Sequence, residues 1–93
     1  MLKTKYLDFL KEQARQVFPD NNIQIFIFGS SLEKENFRDV DLGVMGDFDE
    51  RLVYKLKDNL EQSNLPYLVD VVNFNKVSDD FKNFVLKQDL IWL

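Results

Sequence analysis

The 93 residues of this chain include no cysteine and no histidine. These two absences exclude disulfide bonds, thiolate zinc sites and any serine or cysteine nucleophile paired with a histidine. A metal ion bound by this chain must be held by oxygen ligands, which favours Mg²⁺, Mn²⁺ or Ca²⁺. No other feature of the composition removes as many mechanisms.

Long apolar runs and a surplus of positive charge are also missing. No segment approaches the roughly 20 apolar residues of a membrane span, and the first residues lack signal-peptide character. The 12 basic residues are outnumbered by 16 acidic ones and are scattered along the chain. A basic stripe is typical of proteins that bind nucleic acid. We therefore expect a cytoplasmic protein with no membrane contact and no direct nucleic-acid binding.

Hydrophobic periodicity predicts an α/β (α+β) fold in which a small, mixed, three-stranded sheet is flanked by helices. The length predicts a single domain over residues 1–93. The predicted helices are residues 2–17, one or two turns in 31–36, residues 47–63 and the segment after Ser78. The predicted strands are residues 23–28, 39–44 and 67–74, of which the first is apolar on both faces and therefore central.

Polar residues mark where the later helices begin. Asp47 and Glu50 have the spacing of a capping box, and Asp49 is a competing cap. Ser78 is predicted to cap the last helix. The apolar tail 90–93 has two interpretations: it is a patch for a partner, or it packs back on the core.

Gly29 and Ser30 follow the predicted central strand directly. Glycine lets a backbone approach a phosphate closely, and free N–H groups at a helix start attract anions. The Ser30 hydroxyl adds a donor. Because a strand followed by Gly-Ser is also a common turn, this pair carries little weight alone.

Asp39 and Asp41 stand two residues apart on the second predicted strand, so their carboxylates project from the same face. Two unit charges about 4 Å apart repel by about 1 kcal/mol in water, and by about 4 kcal/mol at an effective dielectric of about 20. A divalent cation turns that repulsion into a pair of ligands. Gly43, next on this face, would leave room for a bound ligand. The alternative is a solvated strand face without a ligand.

Asp70 lies in the middle of the apolar third strand, where burial of a carboxylate is costly unless it has a partner. An exposed position on an edge strand is the alternative. Two carboxylates on one strand, a third on another and a Gly-Ser loop are together the parts needed for two-metal phosphoryl chemistry. The combination favours a functional site over three unrelated features.

The spaced set Phe28-Gly29-Ser30, Asp39-Val40-Asp41-Leu42 and Val69-Asp70-Val71-Val72 resembles the nucleotidyltransferase superfamily that includes DNA polymerase β. The likeness is greatest to its minimal nucleotidyltransferases and covers nearly the whole chain. No single piece of the motif is specific, whereas the spaced set is.

The resemblance implies a role for each matched position. Gly29, Ser30 and Ser31 would bind the phosphates of the nucleotide, ATP. Asp39 and Asp41 would ligate two Mg²⁺ ions. Asp70 would complete the metal site and help to deprotonate the attacking hydroxyl. The implied catalytic residues are therefore the three aspartates.

Two features depart from the family pattern. Only eight residues separate Ser30 from Asp39, which is a shorter connection than is usual in the family. Ser31 stands where the family often has arginine. Lys34 or Arg38 is a candidate for the missing positive charge. These departures bear on nucleotide affinity and activity rather than on the metal site.

The small size leaves no room for a domain that binds an acceptor, so we expect the acceptor to be a partner protein. The resemblance implies a helical HEPN ribonuclease toxin as that partner, with AMP transferred to its tyrosine by this chain as the antitoxin. The alternative is a non-catalytic antitoxin that neutralises its partner by contact. Transfer to a small molecule is a third, weaker option because no acceptor pocket can be assigned.

Overall fold

A computed structural model describes residues 2–29 and 39–93 of the chain. The helical turns predicted in 31–36 lie outside these residues. The described elements are α1 (Thr4–Val17), β1 (Gln24–Phe28), β2 (Asp39–Met45), α2 (Arg51–Glu61), β3 (Leu68–Asn73), α3 (Asp79–Leu86) and β4 (Ile91–Trp92). The predicted mixed α/β class is confirmed.

The strands form one mixed sheet in the order β3-β2-β1-β4. β1 runs antiparallel to both of its neighbours, and β2 runs parallel to β3. The four residues 25–28 of β1 are all buried, as expected of a central strand with apolar side chains on both faces. The prediction that this segment is the central strand is confirmed.

The predicted number of strands is wrong, because the sheet has a fourth strand. In β4, Ile91 pairs with Ile27, and the Leu93 N–H donates to the Ile25 carbonyl oxygen at 2.8 Å. Only two residues form this strand, so no alternating pattern distinguishes it in the sequence. The tail therefore packs on the sheet, although the side chain of Trp92 stays half exposed.

α1 and α2 cover one face of the sheet and form the larger core with it. Apolar residues at helical spacing on each helix meet alternate residues of the strands. The buried members are Leu10, Ala14 and Val17 of α1, Ile25 and Ile27 of β1, Val40, Leu42 and Val44 of β2, Val53, Leu56 and Leu60 of α2, and Val69 and Val71 of β3. The side chains between these strand residues, including the three aspartates, face the other side of the sheet.

Aromatic rings fill part of that other side. Phe26, Phe28 and Phe74 form a second buried cluster with Val85 of α3. A Cβ atom at Gly43 would lie 2.4 Å from Cζ of Phe26 and 2.8 Å from Cε1 of Phe74. The prediction that Gly43 leaves room for a ligand is therefore wrong, since the space above it is occupied by these rings.

Local hydrogen bonds define where the two later helices begin. The Asp49 carboxylate accepts from the Arg51 backbone N–H at 3.0 Å, whereas the Asp47–Glu50 capping box does not form. The Ser78 hydroxyl accepts from the Phe81 N–H at 3.2 Å, which confirms that cap. The helices have 14, 11 and 8 residues, and none in the described ranges is both long and apolar enough to span a membrane.

Candidate active site

Strand pairing brings the three predicted aspartates together. In the parallel register of β2 and β3, Asp41 is the direct partner of Asp70, and Asp39 precedes Asp41 by two residues on the same face. The three side chains line an open cleft of about 330 Å³. The other residues that line this cleft are Lys57 and Glu61 of α2 and Leu68 and Val69 of β3.

Asp70 is exposed because β3 is an edge strand of the described sheet. Its side chain retains 62% of its accessibility, and its Oδ1 lies 3.9 Å from Nζ of Lys57. The exposed-edge interpretation and the functional one are thus compatible. An edge position avoids the cost of burying the carboxylate and still places it beside Asp41.

Gly29 follows β1 directly and lies next to Asp41. Its φ of +88° lies in the left-handed region that favours glycine. A Cβ atom on Gly29 would lie 2.5 Å from Oδ2 of Asp41, so a side chain would collide with the carboxylate. The missing side chain therefore makes space for Asp41. A phosphate-binding role for Gly29 stays a prediction, and Ser30, Ser31 and the candidate cations Lys34 and Arg38 lie outside the described residues.

The surroundings of the cleft shift the pKa of Asp41. Partial burial raises the pKa of the Asp41 carboxyl, and the negative charges of Asp70 and Asp39 raise it further. The fold thus places Asp41 where its ionised form is disfavoured. Because a cation between these groups would favour the ionised form, the arrangement suits a positively charged ligand.

The donor chemistry fits Mg²⁺, which prefers carboxylate oxygens. Within residues 2–29 and 39–93, however, no group of three or more Asp, Glu, His or Cys side chains is arranged to hold a metal ion. Mg²⁺ usually keeps several waters and takes one or two carboxylates plus substrate phosphates, so a closed protein cage is not required. Asp39, Asp41 and Asp70 stay predicted ligands on this basis.

The sequence reasoning missed two charged residues of the cleft, Lys57 and Glu61, of which Lys57 contacts a predicted site residue. Lys57 lies on α2, 13 residues before Asp70, and reaches the cleft only because α2 packs against β3. Its spacing of four residues from Glu61 places both on one side of α2. That spacing is common on exposed helix faces, so the sequence carries no signal that would have singled out Lys57.

Comparison with known proteins decides the family. Residues 12–92 match the family described as "Polymerase beta, Nucleotidyltransferase". The chain belongs to this nucleotidyltransferase family. The resemblance inferred from the three motifs is therefore confirmed.

Individual relatives of this nucleotidyltransferase domain point the same way. A probable protein adenylyltransferase MntA of Haemophilus influenzae is 27% identical over an alignment of 90 residues, and the match covers 92% of this chain and 77% of the relative. A mutant of the toxin–antitoxin pair MntA–HpeT contains a chain with TM-score 0.64 and 20% identity, matched over 99% of this chain and 73% of that one.

A second solved structure has the same fold. The tri-AMPylated Shewanella oneidensis HEPN toxin in complex with its MNT antitoxin contains a matching chain with TM-score 0.55 and 21% identity. The match covers 89% of this chain and 71% of that chain. At this identity the solved structures establish a shared fold.

Proposed function

We propose that this chain is a Mg²⁺-dependent adenylyltransferase that moves AMP from ATP onto a tyrosine of a helical HEPN-type toxin and thereby acts as its antitoxin. The observation that supports this most strongly is the adjacency of Asp41 and Asp70 on β2 and β3, with Asp39 on the same face. This is the carboxylate arrangement that metal-assisted phosphoryl chemistry needs. Cytoplasmic location is part of the proposal.

The proposed roles follow from position. Asp39 and Asp41 would hold Mg²⁺, and Asp70 would complete the site and accept the proton of the attacking hydroxyl. Gly29, Ser30 and Ser31 would bind the phosphates. Bound Mg²⁺ supplies charge neutralisation at the reacting phosphate. The tyrosine oxygen then bonds to the α-phosphorus, the bond to the departing diphosphate breaks, and AMP remains on the acceptor.

An external acceptor agrees with the shape of the cleft. Among the described residues the cleft is open to solvent, so an acceptor on a partner protein has access to it. The Haemophilus influenzae relative is named a probable protein adenylyltransferase, and a matched solved structure holds a tri-AMPylated toxin with its antitoxin. These relatives support a protein as the acceptor.

The second candidate is an antitoxin that acts by contact alone. It is favoured by Ser31, by the eight-residue connection between Ser30 and Asp39, and by the lack of a preformed three-ligand metal cluster in the described ranges. In this case the carboxylates would be remnants of an ancestral site. The two candidates differ in whether neutralisation of the partner needs Asp39 and Asp41.

Co-expression with the helical partner separates the candidates. We expect Asp39→Asn and Asp41→Asn to abolish protection from the toxin while the complex still forms, as measured by growth and by co-purification. Asp58→Asn removes an acidic charge from α2 outside the cleft and serves as the matched control. Full protection by both site variants would establish the contact-only antitoxin and overturn the enzymatic proposal.

A further inference from the structure

Lys57 is the basic residue among the described residues that line the cleft. Four carboxylates share the cleft with it, those of Asp39, Asp41, Asp70 and Glu61. Its ammonium lies 3.9 Å from Asp70 Oδ1, and its side chain keeps 42% of its accessibility. Among the described residues, the cleft therefore contains one cation, and it is paired with a predicted metal ligand.

Lys57 reaches Asp70 from a helix, α2, that packs against the opposite face of the sheet. Val53 and Leu56 of α2 pack in the core with Val69 and Val71, whereas Asp70 projects from the opposite face of β3. Lys57 thus contacts Asp70 around the edge of the sheet. The four-carbon stem of lysine is long and flexible enough for this reach.

We propose that Lys57 forms an ion pair with the Asp70 carboxylate in the metal-free protein and competes with the metal ion for this carboxylate. The inference rests on the proposed metal-dependent function. The Lys57 ammonium offsets the repulsion between Asp70 and Asp41, which are direct partners across the two strands. A divalent cation on Asp70 then has to displace this ammonium.

Competition has a consequence that a purely structural role lacks. Removing the ammonium leaves Asp70 free for the metal and removes a like charge from its vicinity, so metal affinity increases. Removal of a residue that only supported the fold would leave metal affinity unchanged or lower it. The pair is half exposed, so the expected effect is modest, on the order of two- to fivefold.

The test is a Mn²⁺ titration by calorimetry in the full chain. We expect Lys57→Met to bind Mn²⁺ about two- to fivefold more tightly than the wild type, and Lys57→Arg to bind with wild-type affinity. Lys55→Met removes a charge from the same helix without lining the cleft and should also leave affinity unchanged. In an Asp70→Asn background, Lys57→Met should tighten Mn²⁺ binding less than it does in the wild-type background, because the direct competition for Asp70 is gone. Equal or weaker binding by Lys57→Met, or equal tightening by Lys55→Met, overturns the inference.

Parallel assays keep this inference separate from the proposed function. Lys57→Gln is measured beside Lys57→Met, and thermal unfolding confirms that each variant is folded. In AMP transfer to the partner, Lys57→Met should need less metal for its half-maximal rate. Tighter Mn²⁺ binding without AMP transfer by the wild type would support the competition and refute the enzyme. AMP transfer by the wild type, with unchanged Mn²⁺ affinity in Lys57→Met and Lys57→Gln, would support the enzyme and refute the competition.

Discussion

At the residue scale, the proposed chemistry depends on the position of one carboxylate, that of Asp41. Asp41 is partly buried, faces Asp70 across the strand pair and shares its strand face with Asp39. Gly29 provides the space for it at the end of β1. An arrangement that disfavours the ionised form of a side chain reduces the stability of the empty protein, and such a cost is typical of sites that bind a counter-ion.

The first prediction concerns the stability cost of Asp41. Asp41→Asn should raise the melting temperature in EDTA at neutral pH by a few degrees, since a domain of this size shifts by about 4–8 °C for each kcal/mol. The pKa of Asp41 is raised in the folded state, so the folded chain binds the proton more tightly than the unfolded chain. The wild type therefore loses stability as pH rises from the unfolded value of 3.8.

Thermal unfolding of both proteins from acid to neutral pH measures this effect. The difference in melting temperature should be near zero below the unfolded pKa of 3.8 and grow as pH rises through the raised folded pKa. Asp58→Asn is the control for loss of one acidic charge. A melting temperature of Asp41→Asn below that of the wild type throughout would show that the ionised carboxylate stabilises the fold.

The second prediction concerns Gly29. Gly29→Ala should cost about 1–2 kcal/mol of stability from its left-handed backbone. It should also reduce AMP transfer about 100-fold, because its Cβ would displace the Asp41 carboxylate and small misplacements at a reacting centre are costly.

Gly46→Ala is the matched control for backbone strain. Gly46 has a φ of +139°, and its Cβ would meet Ile23 and Asn22 rather than Asp41. This variant should lose stability and keep its transfer rate when folded. An equal loss of transfer in the two variants would mean that strain alone accounts for the effect of Gly29→Ala.

At the element scale, strand pairing determines which parts of the site the sequence could predict. The alternation of Asp39, Val40, Asp41 and Leu42 predicted two carboxylates on one strand face, and the structure has them there. The exposure of Asp70 followed from an edge position that the sequence left open. The contact with Lys57 depends on how α2 packs across β3, and a pattern along one chain segment does not contain that information.

Gly43, in the core, is a second position where the sequence pattern alone does not determine the structure. A small residue beside a site has two interpretations in a sequence, space for a ligand or space for packing, and neighbours on other strands decide between them. Here Phe26 lies opposite Gly43 in the register of β1 and β2, and its ring occupies the space. The site begins only beyond this ring, at Asp41.

The third prediction follows from that packing. Gly43→Ala should destabilise the fold by about 1–3 kcal/mol, because its Cβ overlaps the rings of Phe26 and Phe74 in a filled core. Metal binding by the folded fraction should persist. Chemical denaturation and Mn²⁺ titration measure the two effects, and adding Phe26→Leu should recover part of the lost stability. Normal stability with lost nucleotide binding would instead support a ligand next to Gly43.

At the scale of the whole molecule, Arg15 joins segments that are distant in the sequence. Its guanidinium donates to the carbonyl oxygens of Asp20 at 3.1 Å, Ile23 at 3.0 Å and Leu93 at 2.9 Å. These contacts tie the end of α1 to the start of β1 and to the residue that follows β4. Hydrophobic periodicity predicted the order of the described elements through α3, whereas β4 and this arginine contact depend on tertiary structure alone.

The fourth prediction tests this connection. Arg15→Met should lower the free energy of unfolding by about 1–3 kcal/mol, since several carbonyl oxygens lose a charged donor. Arg51→Met removes an arginine whose ion pair with Asp49 lies on the surface, and it should have a smaller effect. Urea unfolding of the two variants gives the comparison. Equal effects would show that the contacts of Arg15 add nothing beyond those of a surface pair.

The central claim, that the carboxylates of β2 and β3 carry out AMP transfer, is tested most directly by intact mass spectrometry of the partner. The helical partner is incubated with ATP, Mg²⁺ and either the wild type or Asp41→Asn. We expect a mass gain in whole AMP units with the wild type and none with Asp41→Asn, although both proteins bind the partner. A stable complex with no mass gain from the wild type, or an equal gain from both proteins, would contradict it.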